Sequence, residues 1–368
     1  MLRNIGAMGG GLAMVLLLAE LCCRVLPVSG ATFTGYYLDP MIVTYPPHHR
    51  WWTSSGWDLR NARQLRANNL GFVADIDFVP DPLAIGLIGD SYVEAGMLDP
   101  QDRPAARLAF ALSATLTTVP RPVYALGGPG SALLDYAERI RFARQRLGVR
   151  DFVVLMEPGD LRQSLCGSGN VHAACLDPTS LAPRVEPLAP PSLAKRWLRH
   201  LALAQYLVGQ LKIDPIRLVR QASGGLATKK DTSIDGTTIV MVGGASGPTT
   251  LQTEVVRVVS AEFFERLSKL DIHMPVFVLD GRRNPEALAQ APNKPPGVMQ
   301  ERDAFIAIAS QYGAVVVDAE PVFRTHWAHS TLSLAVSPQD GHLNPLGVDL
   351  LMHATAQSLP RPEHALRP

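Results

Sequence analysis

The chain runs to 368 residues, of which 47% are hydrophobic and 18% charged. That is enough apolar material for one large α/β domain with an insertion, or for two small domains, and it excludes a wholly disordered chain. The formal net charge is +1, so no basic excess points to nucleic acid as a partner; no internal repeat is present.

At the N-terminus, Met1, Leu2 and Arg3 precede an apolar stretch from 5 to 19, which Leu21, Cys22 and Cys23 extend past Glu20 and which Arg24 and Pro27 close. A spanning helix takes about 20 apolar residues. The stretch is short for that, and it reads as a signal anchor over 1–28, with a cleaved signal peptide as the alternative. Leu21 ahead of Cys22 rules out a lipoprotein signal, and Glu20 and Arg24 stand four apart on a helix, placed to pair. Residues 29–80 read as a linker and lead-in. Within it the cluster Tyr45, His48, His49, Arg50, Trp51 and Trp52 reads as a strap that packs its tryptophans inward, with glycan or headgroup contact as the alternative.

From 81 the pattern changes. The apolar run 83–88, bounded by Pro80 and Pro82, predicts a buried parallel strand. A helix over 102–116, a strand over 121–126, a helix over 131–147 and a strand over 152–156 follow. Leu133, Tyr136, Ala137, Ile140 and Leu147 carry the helical period of 131–147. Such alternation predicts an α/β fold with a doubly wound parallel sheet. Prolines 183, 187, 190 and 191 mark an insertion at about 162–250. One helix is expected in it over 191–211, with Leu193, Trp197, Leu201 and Tyr206 on one side and Lys195, Arg196, Arg199 and His200 supplying charge. Its expected role is packing on the domain, with a membrane-facing element as the alternative. Gly224, Gly225, Gly243 and Gly244 punctuate the rest. The sheet resumes after a helix over 252–270, with a strand at 275–280, a loop over 285–296, a helix over 298–312 and a strand over 314–318. Residues 361–368 are a tail.

Cys166 and Cys175 bracket a short polar segment. In an oxidising compartment they pair as a loop disulfide, and otherwise they are two free thiols. With only His172 between them they make no four-ligand zinc site. No glycine-rich segment has the strand-to-helix context and lysine of a nucleotide loop, so neither a cofactor nor a metal is expected.

Two segments carry chemistry. Gly89-Asp90-Ser91 stands where the first strand runs out, and open α/β sheets place their chemistry at the carboxyl ends of strands. Near the other end, Asp340 and His342 stand two apart in a Gly/Pro-rich loop ahead of an apolar helical stretch, types that suit a serine nucleophile's base and the acid that orients it. Asp280 and Asp318 also end strands, but Asp340 shares a segment with His342 and ranks first as the acid.

Together these segments resemble the SGNH/GDSL hydrolase family, in its membrane-anchored members. Asn69, Leu70, Gly71 and Phe72 match the family's lead-in, and Gly96, five residues after Ser91, also fits. The resemblance implies a flavodoxin-like three-layer α/β/α domain over 81–360, with Ser91, His342 and Asp340 as catalytic triad and the N–H groups of Ser91 and Gly130 in the oxyanion hole. It also implies that the bulk of the chain lies outside the cytoplasm, on the periplasmic side of the inner membrane. Two features depart from the pattern. Gly159 stands where the family has an asparagine whose amide helps hold the oxyanion, a donor worth roughly 3 kcal/mol of barrier; Gln163 and Asn344 are the candidate substitutes. The Asp-x-His spacing is one residue shorter than usual, and it is similar to that of polysaccharide O-acetyltransferase-related proteins. The implied activity is an ester hydrolase or acyltransferase acting on an O-acylated, above all O-acetylated, envelope or extracellular carbohydrate, a transferase drawing its acyl group from a membrane acyltransferase partner. The alternatives are a non-catalytic glycan-binding or scaffold subunit of a polysaccharide assembly machine, favoured by Gly159, and a lipid or thioester hydrolase.

Overall fold

The computed structural model describes residues 2–115, 120–170, 173–213, 249–289, 297–338 and 340–360. His172, the four glycines at 224, 225, 243 and 244, and the 361–368 tail lie outside these residues. Two compact units are present, one comprising Met1–Phe33, His49–Arg66 and Ala189–Gly243, the other Thr34–His48, Ala67–Leu188 and Gly244–Pro368.

The elements run in chain order from the helix α1 (Leu2–Val25) through two hairpins, β1 (Gly35–Asp39) with β2 (Ile42–Thr44) and β3 (Arg50–Ser55) with β4 (Arg60–Arg66). There follow β5 (Ile85–Gly89), α2 (Ser91–Glu94), α3 (Pro104–Thr115), β6 (Val123–Gly127), α4 (Leu133–Leu147), β7 (Asp151–Met156) and α5 (Asp160–Gln163). The insertion holds the hairpin β8 (Ala174–Leu176) and β9 (Pro183–Val185), then α6 (Leu193–Leu198), α7 (Ala202–Ala204) and a π-helical turn, Gln205–Gln210. The chain closes with α8 (Thr249–Ser268), β10 (Val276–Leu279), α9 (Pro285–Ala289), α10 (Gly297–Gln311), β11 (Val316–Asp318), α11 (Ala319–His329), the hairpin β12 (Ala335–Ser337) and β13 (Asp340–Leu343), and α12 (Pro345–Ser358).

In the larger unit the sheet order is β11-β10-β7-β5-β6, and every pairing is parallel. Numbered along the chain, this is the 2-1-3-4-5 order of flavodoxin-like sheets, whose topological switch point lies between β5 and β7. Strand residues alternate between two cores, as a period of two requires. Ile88, Phe152, Val154 and Phe277 pack on one face with α4, α8 and α10. Ile85, Leu87, Val153 and Val278 pack on the other with α3, α11 and α12. The result is a three-layer α/β/α domain.

Several elements differ from the sequence expectation. Residues 35–66, within the segment read as a linker and lead-in, form two hairpins that the sequence reading did not place. The single helix expected over 191–211 is three short pieces, because Leu201 is extended (φ −100°, ψ 114°) and restarts the chain as the N-cap of α7. The loop expected over 285–296 begins with α9, which Asn284 opens by accepting from Ala287 N at 2.7 Å. The segment carrying Asp340 and His342 is a strand, not a loop.

In the smaller unit, α1 contains one segment, Gly6–Val25, long and apolar enough to cross a membrane. Hairpin β3–β4 buries Trp51 and Leu65.

Candidate active site

The site is built on the carboxyl ends of β5, β6, β7 and β10 and on the β12–β13 hairpin. At the end of β5, Asp90 caps the short helix α2, its Oδ1 accepting from Tyr92 N at 2.9 Å. Gly127, at the end of the neighbouring β6, lets this turn lie against the sheet, since a Cβ there would meet Glu94 N at 2.6 Å. Ser91 therefore begins a helical turn, with its Oγ at the sheet's carboxyl edge.

His342 approaches from β13. Along a strand, residues two apart face the same way, so Asp340 and His342 lie side by side. Asp340 Oδ1 accepts from His342 N at 3.1 Å and lies 2.6 Å from Nδ1. With Nδ1–H given to the carboxylate, Nε2 is the acceptor, and it stands 2.9 Å from Ser91 Oγ. The short Asp-x-His spacing is thus what an extended strand needs to bring both side chains together. The hydrogen bond from His342 holds the Asp340 carboxyl below its ordinary range, which keeps it an acceptor.

The remaining candidates fall as follows. Gly130 lies in the loop after β6 at φ +70°; Arg139 holds both ends of that loop, donating to Gly127 O at 3.2 Å and Ser131 Oγ at 2.8 Å. Gly159 precedes α5, and a Cβ at this position would meet Gln163 Nε2 at 2.7 Å. The Gln163 amide therefore occupies the space a side chain at 159 would fill. Its Oε1 accepts from Asn170 Nδ2 at 2.6 Å, which leaves Nε2 as the donor end near Gly159. Asn170 stands inside the loop that the Cys166–Cys175 disulfide closes. Asn344, by contrast, caps α12: its Oδ1 accepts from Gly347 N at 3.0 Å, and its Nδ2 donates to Ser333 O at 2.6 Å and Ala335 O at 3.3 Å. Both ends of that amide are engaged. Asp280 pairs with Arg283, and Asp318 with Arg302, so neither strand-ending aspartate is turned to His342.

Two residues at the site had no part in the sequence reading. The Tyr92 ring lies 4.5 Å from the His342 ring, and the Arg283 guanidinium sits over the Tyr92 ring, 4.6 Å from its centroid. Arg283 also donates to Gly341 O, pairs with Asp280, and reaches Glu157 at 3.5 Å. The position of Arg283, four residues beyond the end of β10, was the available signal, because sites of this fold gather at strand ends.

Carboxylates crowd behind Ser91. Burial, and then the charge of Glu157, pushes Asp90 up to about 7. Burial likewise pushes Glu94 up to about 7, while its Tyr45 hydrogen bond at 2.8 Å opposes the rise. Asp160, fully buried with its Oδ2 taking Tyr136 OH at 3.0 Å, is held well above the carboxylate range. A small apolar pocket lies beside His342, lined by Tyr92, Met97, Leu155, Leu343, Val348 and Met352, with a cavity volume of about 10 Å³.

No family model and no curated protein matches the chain. Among solved structures, it is similar to an alpha/beta hydrolase enzyme from the metagenome of Lake Arreo, Spain, at 12% identity over 76% of this chain and 96% of that one, with a TM-score of 0.40. It is also similar to a member of the lipolytic G-D-S-L family from Veillonella parvula, at 10% identity over 74% of this chain and 96% of that one, with a TM-score of 0.39. A third likeness is to an acetylxylan esterase from Geobacillus stearothermophilus, at 12% identity over 76% of this chain and 95% of that one, with a TM-score of 0.39.

Proposed function

We propose that this protein is a serine-dependent acyl esterase or acyltransferase acting on an O-acetylated carbohydrate, anchored by α1 in the inner membrane with its bulk outside the cytoplasm. The observation that carries the reading is the continuous hydrogen-bonded series Ser91 Oγ, His342 Nε2, His342 Nδ1, Asp340 Oδ1. His342 takes the proton of Ser91 as Oγ attacks the ester carbonyl, then gives it to the leaving alkoxide. Asp340 fixes the tautomer and stabilises the imidazolium. The N–H groups of Ser91 and Gly130, with Gln163 Nε2 in place of the missing asparagine, hold the oxyanion. The pocket beside His342 is small and apolar, in keeping with a short acyl group. Water as acceptor gives an esterase; a sugar hydroxyl gives a transferase, supplied by a membrane acyltransferase partner.

The test is labelling of the full chain in detergent with a fluorophosphonate, read by intact mass. One adduct on the wild type, absent in Ser91→Ala and His342→Ala, is the expected result. Acetylated glycans and long-chain esters are then compared as substrates. Gly159 favours one other reading, a non-catalytic glycan-binding or scaffold subunit, and a folded protein that takes no adduct is the outcome that selects it.

A further inference from the structure

The smaller unit carries an apolar and basic surface that the catalytic reading leaves unused. In α6, Leu193 is 71% and Trp197 76% exposed, and Trp57, in the β3–β4 turn, is 75% exposed. Leu198, Leu201 and Val208 are exposed as well. Arg196 is exposed beside them, flanked by the partly buried Lys195 and Arg199. Such a patch is costly in water and rare on a monomer's surface without a partner.

Other polar groups of the same segment bond to α1 and the hairpin. Glu20 accepts from Ala202 N at 3.1 Å and Leu203 N at 2.8 Å. Arg24, paired with Glu20 at 2.7 Å, donates to His200 O at 3.2 Å. Tyr206 donates its hydroxyl to Trp57 O at 2.8 Å, and Gln210 donates to Gly56 O at 2.7 Å. The segment is thus fastened to the last turns of α1.

That fastening fixes its depth. Glu20 stands five residues before Val25, the end of the apolar segment, or about 7.5 Å along the helix axis. The 20 residues of Gly6–Val25 span about 30 Å, the thickness of the hydrocarbon core. If α1 crosses a bilayer, α6 and α7 lie at the boundary between acyl chains and headgroups, where tryptophan and basic side chains are favoured. We infer that α6, α7 and the β3–β4 turn form a second membrane contact, a collar around the base of α1 that inserts Trp197 and Trp57 among anionic headgroups. This rests on the reading of α1 as an anchor.

The test uses the full chain reconstituted in phosphatidylcholine vesicles containing phosphatidylglycerol, with bromine carried on the acyl chains of one lipid or the other. Carbonate extraction of the same vesicles reports the anchor separately: a chain that is stripped off sinks the anchor reading itself. With the chain retained, the expected result is tryptophan quenching that falls in Trp197→Phe and Trp57→Phe and is unchanged in Trp327→Phe. Brominated phosphatidylglycerol is expected to quench more strongly than brominated phosphatidylcholine. Lys195→Gln, Arg196→Gln and Arg199→Gln together are expected to erase that excess, each charge weakening lipid enrichment about fivefold. Retention without Trp197-dependent quenching overturns the collar, and equal quenching by the two lipids overturns its anionic preference.

Discussion

Gln163 and Gly159 form a pair in which one side chain occupies the place the other lacks, and this makes the donor assignment testable by exchange. In Gln163→Ala, kcat is expected to fall about 100-fold with KM little changed, the loss of one oxyanion donor. Gly159→Asn alone is expected to displace the Gln163 amide, because its Cβ would meet Nε2 at 2.7 Å, and so to fall between the wild type and Gln163→Ala. The double variant Gly159→Asn with Gln163→Ala removes that clash and supplies an amide from position 159, so it is expected to recover most of the lost rate. Steady-state kinetics on a simple acetyl ester reads all three. A double variant no better than Gln163→Ala would rule out Gln163 as a stand-in for the asparagine. Asn344→Ala serves as the contrast: as the cap of α12 it is expected to cost about 1 kcal/mol of stability, with no selective loss of kcat.

At the scale of elements, β13 owes its position to contacts outside itself. It has a single two-stranded partner, and Arg283 joins Gly341, which stands between Asp340 and His342, to Asp280 at the end of β10. Arg283→Met is expected to lower kcat by ten- to a hundredfold, the scale of a misplaced base, while fluorophosphonate labelling slows and the fold persists. Arg283→Lys is expected to rescue little, because an ammonium cannot stack on Tyr92 and fork between Gly341 and Asp280 as a guanidinium does. Full rescue by lysine would reduce the role to charge alone. The disulfide bears on the site in a similar way, since its loop carries Asn170. Replacing Cys166 and Cys175 by serine is expected to cost about 2–3 kcal/mol by loop entropy and to lower kcat toward the Gln163→Ala level, read by denaturant unfolding and kinetics. Much of this scale was legible in the sequence. The apolar runs of β5, β6, β7 and β10 and the helical period of α4 follow from burial on two faces or one. The hairpins of 35–66 and the break at Leu201 were not legible, because short edge strands hold few apolar residues and the Glu20 contacts that restart the helix come from 182 residues away.

For the whole molecule, the order of the parallel strands puts Ser91 and Gly159 at the switch point; local pattern anticipated the strands and their carboxyl ends but not their order, which long-range pairing sets. The carboxylates behind Ser91 were invisible in sequence, since Asp90, Glu94, Glu157 and Asp160 are spread over two strand ends and gather only when β5 and β7 pair. Their burial gives the protein an unusual dependence on pH. Glu94 and Asp90 are held at about 7 in the folded chain, against 4.5 and 3.8 as their ordinary values. The folded state therefore binds more protons than the unfolded state between these limits, and stability falls as pH rises through that window. The Glu94 contribution, present in full below about pH 4.5, is on the order of 3 kcal/mol and is gone by about pH 8. Asp340 and Glu320, whose carboxyls are held low by His342 and Arg282, act in the opposite sense and lose their contribution only below about pH 4. The two sets act in opposite senses, so the ionisation of Asp90 and Glu94 is expected to lower stability from about pH 5 upward. Calorimetry of the detergent-solubilised chain is expected to show the unfolding temperature dropping from about pH 5 to about pH 8. Glu94→Gln keeps an acceptor for Tyr45 OH and cannot ionise, so it is expected to flatten that slope. An unfolding temperature that climbs steadily across the same interval in the wild type would mean that these carboxylates are ionised in the folded protein and that the cluster behind Ser91 is solvated.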